Sequence, residues 1–236
     1  MHHEIMTHTK KAYKISKDRS ISFWKKVGEI AIEIGIIVFA VTLSIWLHDR
    51  SEHKHEQAQV KQFLVGLKED LQKDIEEMQS DSTSYESSSN AFRYFAGTSQ
   101  AGPDMDSIKQ YGRYLMNTTT LVPNSGRYES FKSSGKLINI EDQKLQDNIA
   151  DLYQESYPAI LASTDAYIKR KGMLLSFYFD NFHTNADGTN NLAQVITSDK
   201  ARNIFKSIIA VNEITGRYSV ALQKARLIIS EIDQYN

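Results

Sequence analysis

The feature that most constrains this chain is an apolar run near its N-terminus, residues 27–47, which reads VGEIAIEIGIIVFAVTLSIWL. As an α-helix this run of about 21 residues would be about 31 Å long, which matches the hydrocarbon thickness of a bilayer. The part without charges, residues 34–47, spans only about 14 residues, a length that also suits a buried helix of a soluble protein. We therefore predict a transmembrane helix over residues 27–47, with a buried soluble helix as the alternative.

The residues that flank this run predict its orientation. Basic residues are dense on its N-terminal side, at Lys10, Lys11, Lys14, Lys17, Arg19, Lys25 and Lys26. Between residues 48 and 66 the only Lys and Arg are Arg50, Lys54 and Lys61, so the positive-inside rule places the N-terminus in the cytoplasm. Trp24 and Trp46 stand at the two ends of the run, as expected for interfacial anchors. No small-residue cleavage site follows, which predicts an uncleaved signal anchor.

Two acidic residues interrupt the apolar run and predict a helix contact inside the membrane. Glu29 and Glu33 are four residues apart and so share a helix face. An ionised carboxylate at the depth of Glu33 costs a few kcal/mol in lipid, which favours a protein partner there. The small residues that would let a partner helix approach closely are Ala31, Gly35, Ala40 and Ser44. The alternative is that both Glu side chains extend to the cytoplasmic interface.

Composition excludes several classes of function. The formal net charge of −1 and the confinement of dense basic residues to residues 10–26 argue against nucleic-acid binding. With no Cys, the chain can form no disulfide, no thiolate nucleophile and no Cys-ligated metal site. Three Pro and eleven Gly in 236 residues favour long helices over a fold with many turns.

The rest of the chain shows helical periodicity. An apolar stripe at spacings of four and three continues from the apolar run: Val60, Leu64, Leu67, Leu71, Ile75 and Met78. We predict that the first helix ends near Gln79 and that residues 80–90 form a polar turn or helix start. Further helices are predicted around residues 108–116, 128–134, 145–153, 160–182 and 198–234, with a loop over residues 118–126.

The predicted fold class is all-α, with one transmembrane helix that continues into a periplasmic helical bundle. Four regions follow from this pattern: a basic cytoplasmic tail over residues 1–26, the transmembrane helix over 27–47, a membrane-proximal helix over 48–80 and a helical periplasmic domain over 81–236.

A set of residues spread over much of the chain resembles the pattern of an uncharacterised bacterial family. They are Gly28, Glu29, Ile30, Ala40, Trp46 and Arg50 in and after the apolar run, Phe63, Leu64, Leu67, Asp70 and Leu71 beyond it, and Tyr128, Ser134, Gly135, Leu145 and Tyr153 in the middle. The chain resembles single-pass inner-membrane proteins that carry a domain of unknown function. It departs from them at Glu33 and at Gly35, which comes one position early. The resemblance implies an inner-membrane location and a helical periplasmic domain, and it implies no established activity.

Three patterns that suggest chemistry fail on inspection. The stretch from Ser133 to Lys136 lacks the remaining residues of a phosphate loop and the partner motif of an acyl-enzyme, so Gly135 is interpreted as a helix terminator. The stretch from His183 to Gly188 resembles half of a calcium loop, but Gln194 stands where a bidentate Glu is needed. His residues near positions 2–8 and 48–55 are interpreted as solvated. We therefore predict no enzyme activity, no cofactor and no metal site.

Two hypotheses of function remain. The first is a non-catalytic periplasmic scaffold or interaction subunit of a cell-envelope complex, which contacts the lipid bilayer and assembles as a homo-oligomer or with another envelope membrane protein. The second is an envelope sensor that binds a ligand and signals through a partner membrane protein. Eleven Tyr in the soluble part make a sugar or peptide groove conceivable, whereas core packing is the plainer interpretation. A pocket lined by several Tyr would favour the sensor, and an exposed apolar helical face would favour the scaffold.

Overall fold

The computed structural model describes residues 23–98 and 103–235, and these are almost entirely helical. Within them the only β pairing is a single antiparallel bridge between Thr184 and Asn190. The all-α prediction is therefore confirmed for the described part of the chain. The chain divides into two compact units, Met1–Gln59 and Val60–Asn236. The predicted cytoplasmic tail lies mostly outside the described residues, and the four predicted regions stay a prediction.

The first helix, α1, runs without interruption from Phe23 to Gly97. Its continuation past the apolar run is confirmed, but the prediction that it ends near Gln79, with a polar turn or a new helix start over residues 80–90, is wrong. The Ser-rich stretch lacks Gly and Pro, and its inward side chains, Asp81, Tyr85, Ser88, Ser89 and Phe92, are all buried. Tertiary packing of these side chains outweighs the weak helix propensity of Ser. Gly97 ends the helix instead.

Ten shorter helical segments follow α1 within the described residues. The α-helices are α2 (Met105–Tyr111), α3 (Arg113–Met116), α4 (Gly126–Ser133), α5 (Gln143–Asp151), α6 (Tyr157–Asn181), α7 (Leu192–Thr197), α8 (Asp199–Ile208) and α9 (Asn212–Tyr235). A 3₁₀ turn spans Lys136–Asn139, and a π-helical turn spans Leu152–Ser156. Side chains of Asp104, Asp142 and Ser198 accept hydrogen bonds at the starts of α2, α5 and α8, as N-caps do.

Two of these elements differ from the prediction for a physical reason. The π turn joins α5 to α6 because Pro158 has no N–H and its ring conflicts with the carbonyl four residues earlier, so the hydrogen-bond ladder shifts there. The predicted single helix over residues 198–234 is wrong, because residues 209–211 separate α8 from α9. At this break the Ser89 hydroxyl donates to the Ile209 carbonyl at 2.7 Å, a bond that a carbonyl in a continuous helix would not need.

The second unit has one core, which combines aliphatic side chains with a set of packed aromatic rings. Phe92 and Phe95 of α1 pack against Phe205 of α8, with ring centres 5.9 and 5.7 Å apart. Tyr128 stacks on Tyr153 at 4.2 Å with an interplanar angle of 8°. Aromatic pairs in these geometries add to the stability that burial alone supplies.

A row of acidic side chains on α1 holds the segment of residues 117–127. Asp74 accepts hydrogen bonds from the backbone N–H of Asn124 at 3.0 Å, from its side-chain amide at 2.7 Å and from the hydroxyl of Tyr157 at 2.7 Å. The row continues on either side, with contacts from Arg127 to Asp70, from Val122 N–H to Glu77, and from Thr119 and Tyr218 to Asp81. Because buried carboxylates need several donors, this row fixes an otherwise irregular segment against α1.

Candidate functional site

The part of α1 over residues 27–47 presents its apolar side chains outward. Phe39 is 68 % exposed and Ile32 is 64 % exposed, and the most apolar window of this helix has a mean hydropathy of 2.4 with 6 % of it buried. By length and composition it is the one helix in the described part of the chain able to cross a membrane. A helix surface with this many exposed apolar side chains is unfavourable in water, so the exposure pattern is compatible with a lipid environment.

One face of this helix differs from the rest. Glu33 is 5 % exposed, the only buried side chain among the described residues of the apolar run. The partly buried residues are Glu29, Ile30, Ile37, Ala40 and Ser44. Glu29, Glu33, Ile37, Ala40 and Ser44 are spaced by four, four, three and four residues and so form a single stripe, which we call the contact face.

The predicted contact residues divide between two sides of the helix. Ala31 and Gly35 are exposed and stand two residues from Glu33, which places them about 200° away around the helix axis. A side-chain carbon at Gly35 would meet no atom within 4 Å. The contact face therefore contains Glu29, Glu33, Ala40 and Ser44, and the Ala31 and Gly35 pair belongs to a separate surface. The predicted anchors Trp24 and Trp46 are 80 % and 52 % exposed.

The second unit carries a polar groove of about 320 Å³, which we call the tyrosine groove. It is lined by Ser84, Tyr85, Ser88, Arg113, Tyr114, Asn117, Thr118, Thr119 and Tyr167. The apolar space between α3, α6 and α7 has a volume of only about 10 Å³, which is too small for a ligand. The tyrosine groove has the volume of a small-molecule site and combines ring faces with polar groups.

Three segments that are distant in sequence build this groove. Tyr85 comes from α1, Arg113 and Tyr114 from the start of α3, and Tyr167 from α6. The ring of Tyr85 meets the ring of Tyr167 edge-on at 5.1 Å, and its hydroxyl donates to the Thr119 carbonyl at 2.6 Å. Burial, followed by the charge of Asp81, raises the pKa of Tyr85, so its phenol stays a hydrogen-bond donor at physiological pH.

Tyr167 is the buried residue of the groove whose polar atom is not satisfied. Its side chain is 2 % exposed, and within the described residues its hydroxyl makes no hydrogen bond. Burial raises the pKa of Tyr167 to about 12, with the nearby Ser88 hydroxyl and the charge of Arg170 acting in the opposite direction. Ser88 thus lies close to the phenol without the geometry of a hydrogen bond. A buried hydroxyl without a partner costs about 1–3 kcal/mol.

Arg113 supplies the charge of the groove. It is the only ionised residue among the described residues that line it, and its guanidinium donates to the Tyr114 hydroxyl at 2.7 Å. The Ser87 hydroxyl, and then Arg113, lower the pKa of Tyr114. A second, more open depression of about 440 Å³ shares Ser84, Arg113 and Tyr114 with the groove. Arg113 and Tyr114 therefore stand between two polar depressions.

Lys171 lies beneath this region and was not predicted as a notable residue. Its side chain is 1 % exposed, its ammonium donates to the Asn117 carbonyl, and it stands 5.5 Å from the ring centre of Phe92. Burial lowers the pKa of Lys171 to about 8. The sequence does hold a signal for it, since Lys171 occupies the register of the inward residues Tyr167 and Leu174 on α6.

The other sequence motifs have structural roles. Gly135 follows α4 with a φ of 73°, which confirms its interpretation as a helix terminator. In the stretch that resembles half of a calcium loop, the Asp187 carboxylate accepts from the backbone and hydroxyl of Thr189 at 3.0 and 2.6 Å, and Gly188 has a φ of 83°. This carboxylate therefore holds its own turn. Among the described residues no group of three or more His, Asp or Glu side chains is arranged to hold a metal.

Comparison of the chain with models of protein families, with curated proteins and with solved structures finds no match. The contact face carries Glu29, Glu33 and the small side chains of Ala40 and Ser44. The tyrosine groove presents the ring of Tyr114, hydroxyl and amide groups and one guanidinium.

Proposed function

We propose that this protein is a membrane-anchored, non-catalytic interaction subunit of a bacterial cell-envelope complex. In this proposal residues 27–47 cross the inner membrane, the N-terminus is cytoplasmic, and the helical unit forms a periplasmic helical bundle. The observation that carries it is the outward apolar surface of residues 27–47, with 6 % of its most apolar window buried. The basic residues before the run support the orientation.

The contact face is the surface that we propose for assembly. A stripe at spacings of four and three along a membrane helix is the pattern of a helix–helix contact, and small residues such as Ala40 and Ser44 allow close approach. Glu29 and Glu33 add polar groups that prefer protein to lipid. The partner is a second copy of this chain or another envelope membrane protein.

Substitution of Glu33 tests this proposal. Glu33→Leu should weaken self-association or co-purification of a partner from mild detergent about fivefold, which corresponds to about 1 kcal/mol for a polar contact in a membrane. Glu33→Gln keeps a hydrogen-bonding side chain and should retain most of the association. Ile34→Leu changes an exposed neighbouring residue, 54 % exposed, and is the matched control that should change nothing. Association that is unchanged in Glu33→Leu, in detergent and in membranes, would refute the contact.

A second candidate function is favoured by the tyrosine groove. A ligand-sized polar groove lined by three Tyr is the feature expected of an envelope sensor rather than of a plain scaffold. In this alternative the protein binds a small molecule in the periplasm and transmits the binding event through a partner membrane protein. The two candidates are compatible, because the contact face and the tyrosine groove use different residues.

A further inference from the structure

The charge of the tyrosine groove indicates the kind of ligand that it accepts. Arg113 is the only ionised group among the described residues lining the groove, and the same holds for the adjoining depression that shares it. Its one hydrogen bond to protein within the described residues goes to the Tyr114 hydroxyl, so most of its donors remain available. A guanidinium with free donors pairs best with a planar carboxylate, which can accept two parallel hydrogen bonds.

Negative charge near the groove is already compensated. Asp81 lies below the floor, where one carboxylate oxygen accepts from the Thr119 hydroxyl and the other accepts from the Tyr218 hydroxyl at 3.0 Å. The buried ammonium of Lys171 donates to the carbonyl of Asn117, a residue of the groove wall. An anion in the groove therefore meets a positive side chain at its surface and satisfied polar groups below it.

The remaining wall favours a hydroxylated molecule. Ser84, Thr118 and Asn117 contribute hydroxyl and amide groups, and the half-buried ring of Tyr114 contributes a flat surface of the kind that packs against a sugar ring. The buried hydroxyl of Tyr167 has no hydrogen-bond partner within the described residues. It lies beneath the wall, because the Tyr167 side chain is only 2 % exposed, so a ligand meets the exposed side chains of Arg113, Asn117 and Thr118 instead.

We propose that the tyrosine groove binds a small hydroxylated carboxylate of about the size of a sugar acid, with its carboxylate on Arg113 and its ring against Tyr114. A volume of about 320 Å³ accommodates one such ring. This inference rests on the second candidate function and adds the chemical class of its ligand. It places the anion at Arg113, the residue between the two depressions, so a longer acidic glycan would extend from the groove into the neighbouring depression.

Calorimetric titration of the full-length protein in detergent tests the inference, with glucuronate, glucose and glucose 6-phosphate as probes. Glucuronate should bind at least tenfold more tightly than glucose, and added salt should weaken the binding because the contact is an ion pair. Arg113→Gln should reduce the affinity for glucuronate to that for glucose. Arg93→Gln is the matched control, since Arg93 hydrogen-bonds to Asn90 and lies outside the groove lining, and it should bind as the unaltered protein does.

Tyr114→Leu tests the second contact separately. It should lower the affinity for glucuronate about fivefold, because the ring that packs against the sugar is removed. Unchanged affinity in Tyr114→Leu would overturn the contact with Tyr114. Equal binding of glucuronate and glucose, or tighter binding of the phosphate ester than of the carboxylate, would overturn the carboxylate assignment and leave ligand binding in place. The absence of binding by all three probes would overturn both the inference and the second candidate function.

Discussion

The N-terminal and C-terminal parts of helix α1 differ in which types of side chain they expose and which they bury. Over residues 27–47 the large apolar side chains point outward and the one buried side chain is an acid, Glu33. Over residues 60–97 the apolar side chains point inward, and the buried acids Asp74 and Asp81 are held by hydrogen-bond donors from other segments. A single helix with both patterns is compatible with two surroundings: lipid, which solvates apolar surface, and a protein core, which replaces water.

The contrast between the two parts of α1 is tested most directly by the same substitution, Phe→Ala, at one position in each part. Phe92, 0 % exposed, contacts Phe205 in the core, whereas Phe39 is 68 % exposed in the apolar run. Phe92→Ala should lower the free energy of unfolding of the helical unit by about 3–5 kcal/mol, because it leaves a cavity. Phe39→Ala should change it by less than about 0.5 kcal/mol, as surface substitutions do. Denaturant titration of the full chain in detergent, followed by circular dichroism, measures both, and equal losses would contradict the contrast.

Lys171 provides a second test, within the protein core. A charge that is buried there without an ionic partner lowers the stability of the fold. Its lowered pKa means that the folded state releases the Lys171 proton near pH 8, while the unfolded chain keeps it to about pH 10.4. The destabilising effect is therefore complete below about pH 8 and fades as the pH rises toward 10. Lys171→Met should stabilise the fold by about 1–2 kcal/mol at pH 7, after allowance for the lost contact with Phe92, and by less at pH 9.5.

Paired thermal unfolding of Lys171→Met and the unaltered protein at pH 7 and pH 9.5 measures this effect. Lys169→Met is the control, because Lys169 is 75 % exposed and pairs with Asp165 one helical turn away. It should leave the melting temperature nearly unchanged at both pH values. A gain for Lys171→Met that does not shrink with rising pH would show that packing, rather than the buried charge, causes it.

The helices and their inward faces could be predicted from the periodicity of the sequence. The helix ends and breaks that involve contacts with distant residues could not. The stripe from Val60 to Met78 predicted a helix and its inward face correctly, because helical spacing is a local property. The true end of α1 at Gly97 escaped the prediction, since Ser-rich residues 80–90 are helical only through packing of Tyr85 and Phe92. At the break over residues 209–211 the Ile209 carbonyl likewise accepts a hydrogen bond from Ser89, which is 120 positions away along the chain.

The candidate sites divide in the same way. The shared helix face of Glu29 and Glu33 could be predicted from their spacing of four residues. In the structure Ala31 and Gly35 lie on the opposite, exposed side of the helix. The tyrosine groove could not be predicted, because Tyr85, Arg113 and Tyr167 come from three helices with no shared motif. Tyr-rich composition indicated only that a groove was conceivable, and long-range packing decided which Tyr residues meet.

The central claim, that residues 27–47 cross a membrane with the helical unit on the far side, is tested most directly by topology reporters. A reporter that is active only outside the cytoplasm should be active when it is fused after Asn236 and inactive when it is fused near Lys17. The protein should also resist extraction by alkaline carbonate, as expected for a helix that spans a bilayer. The reverse reporter pattern would contradict the orientation, and a protein released from membranes by carbonate would contradict the span itself.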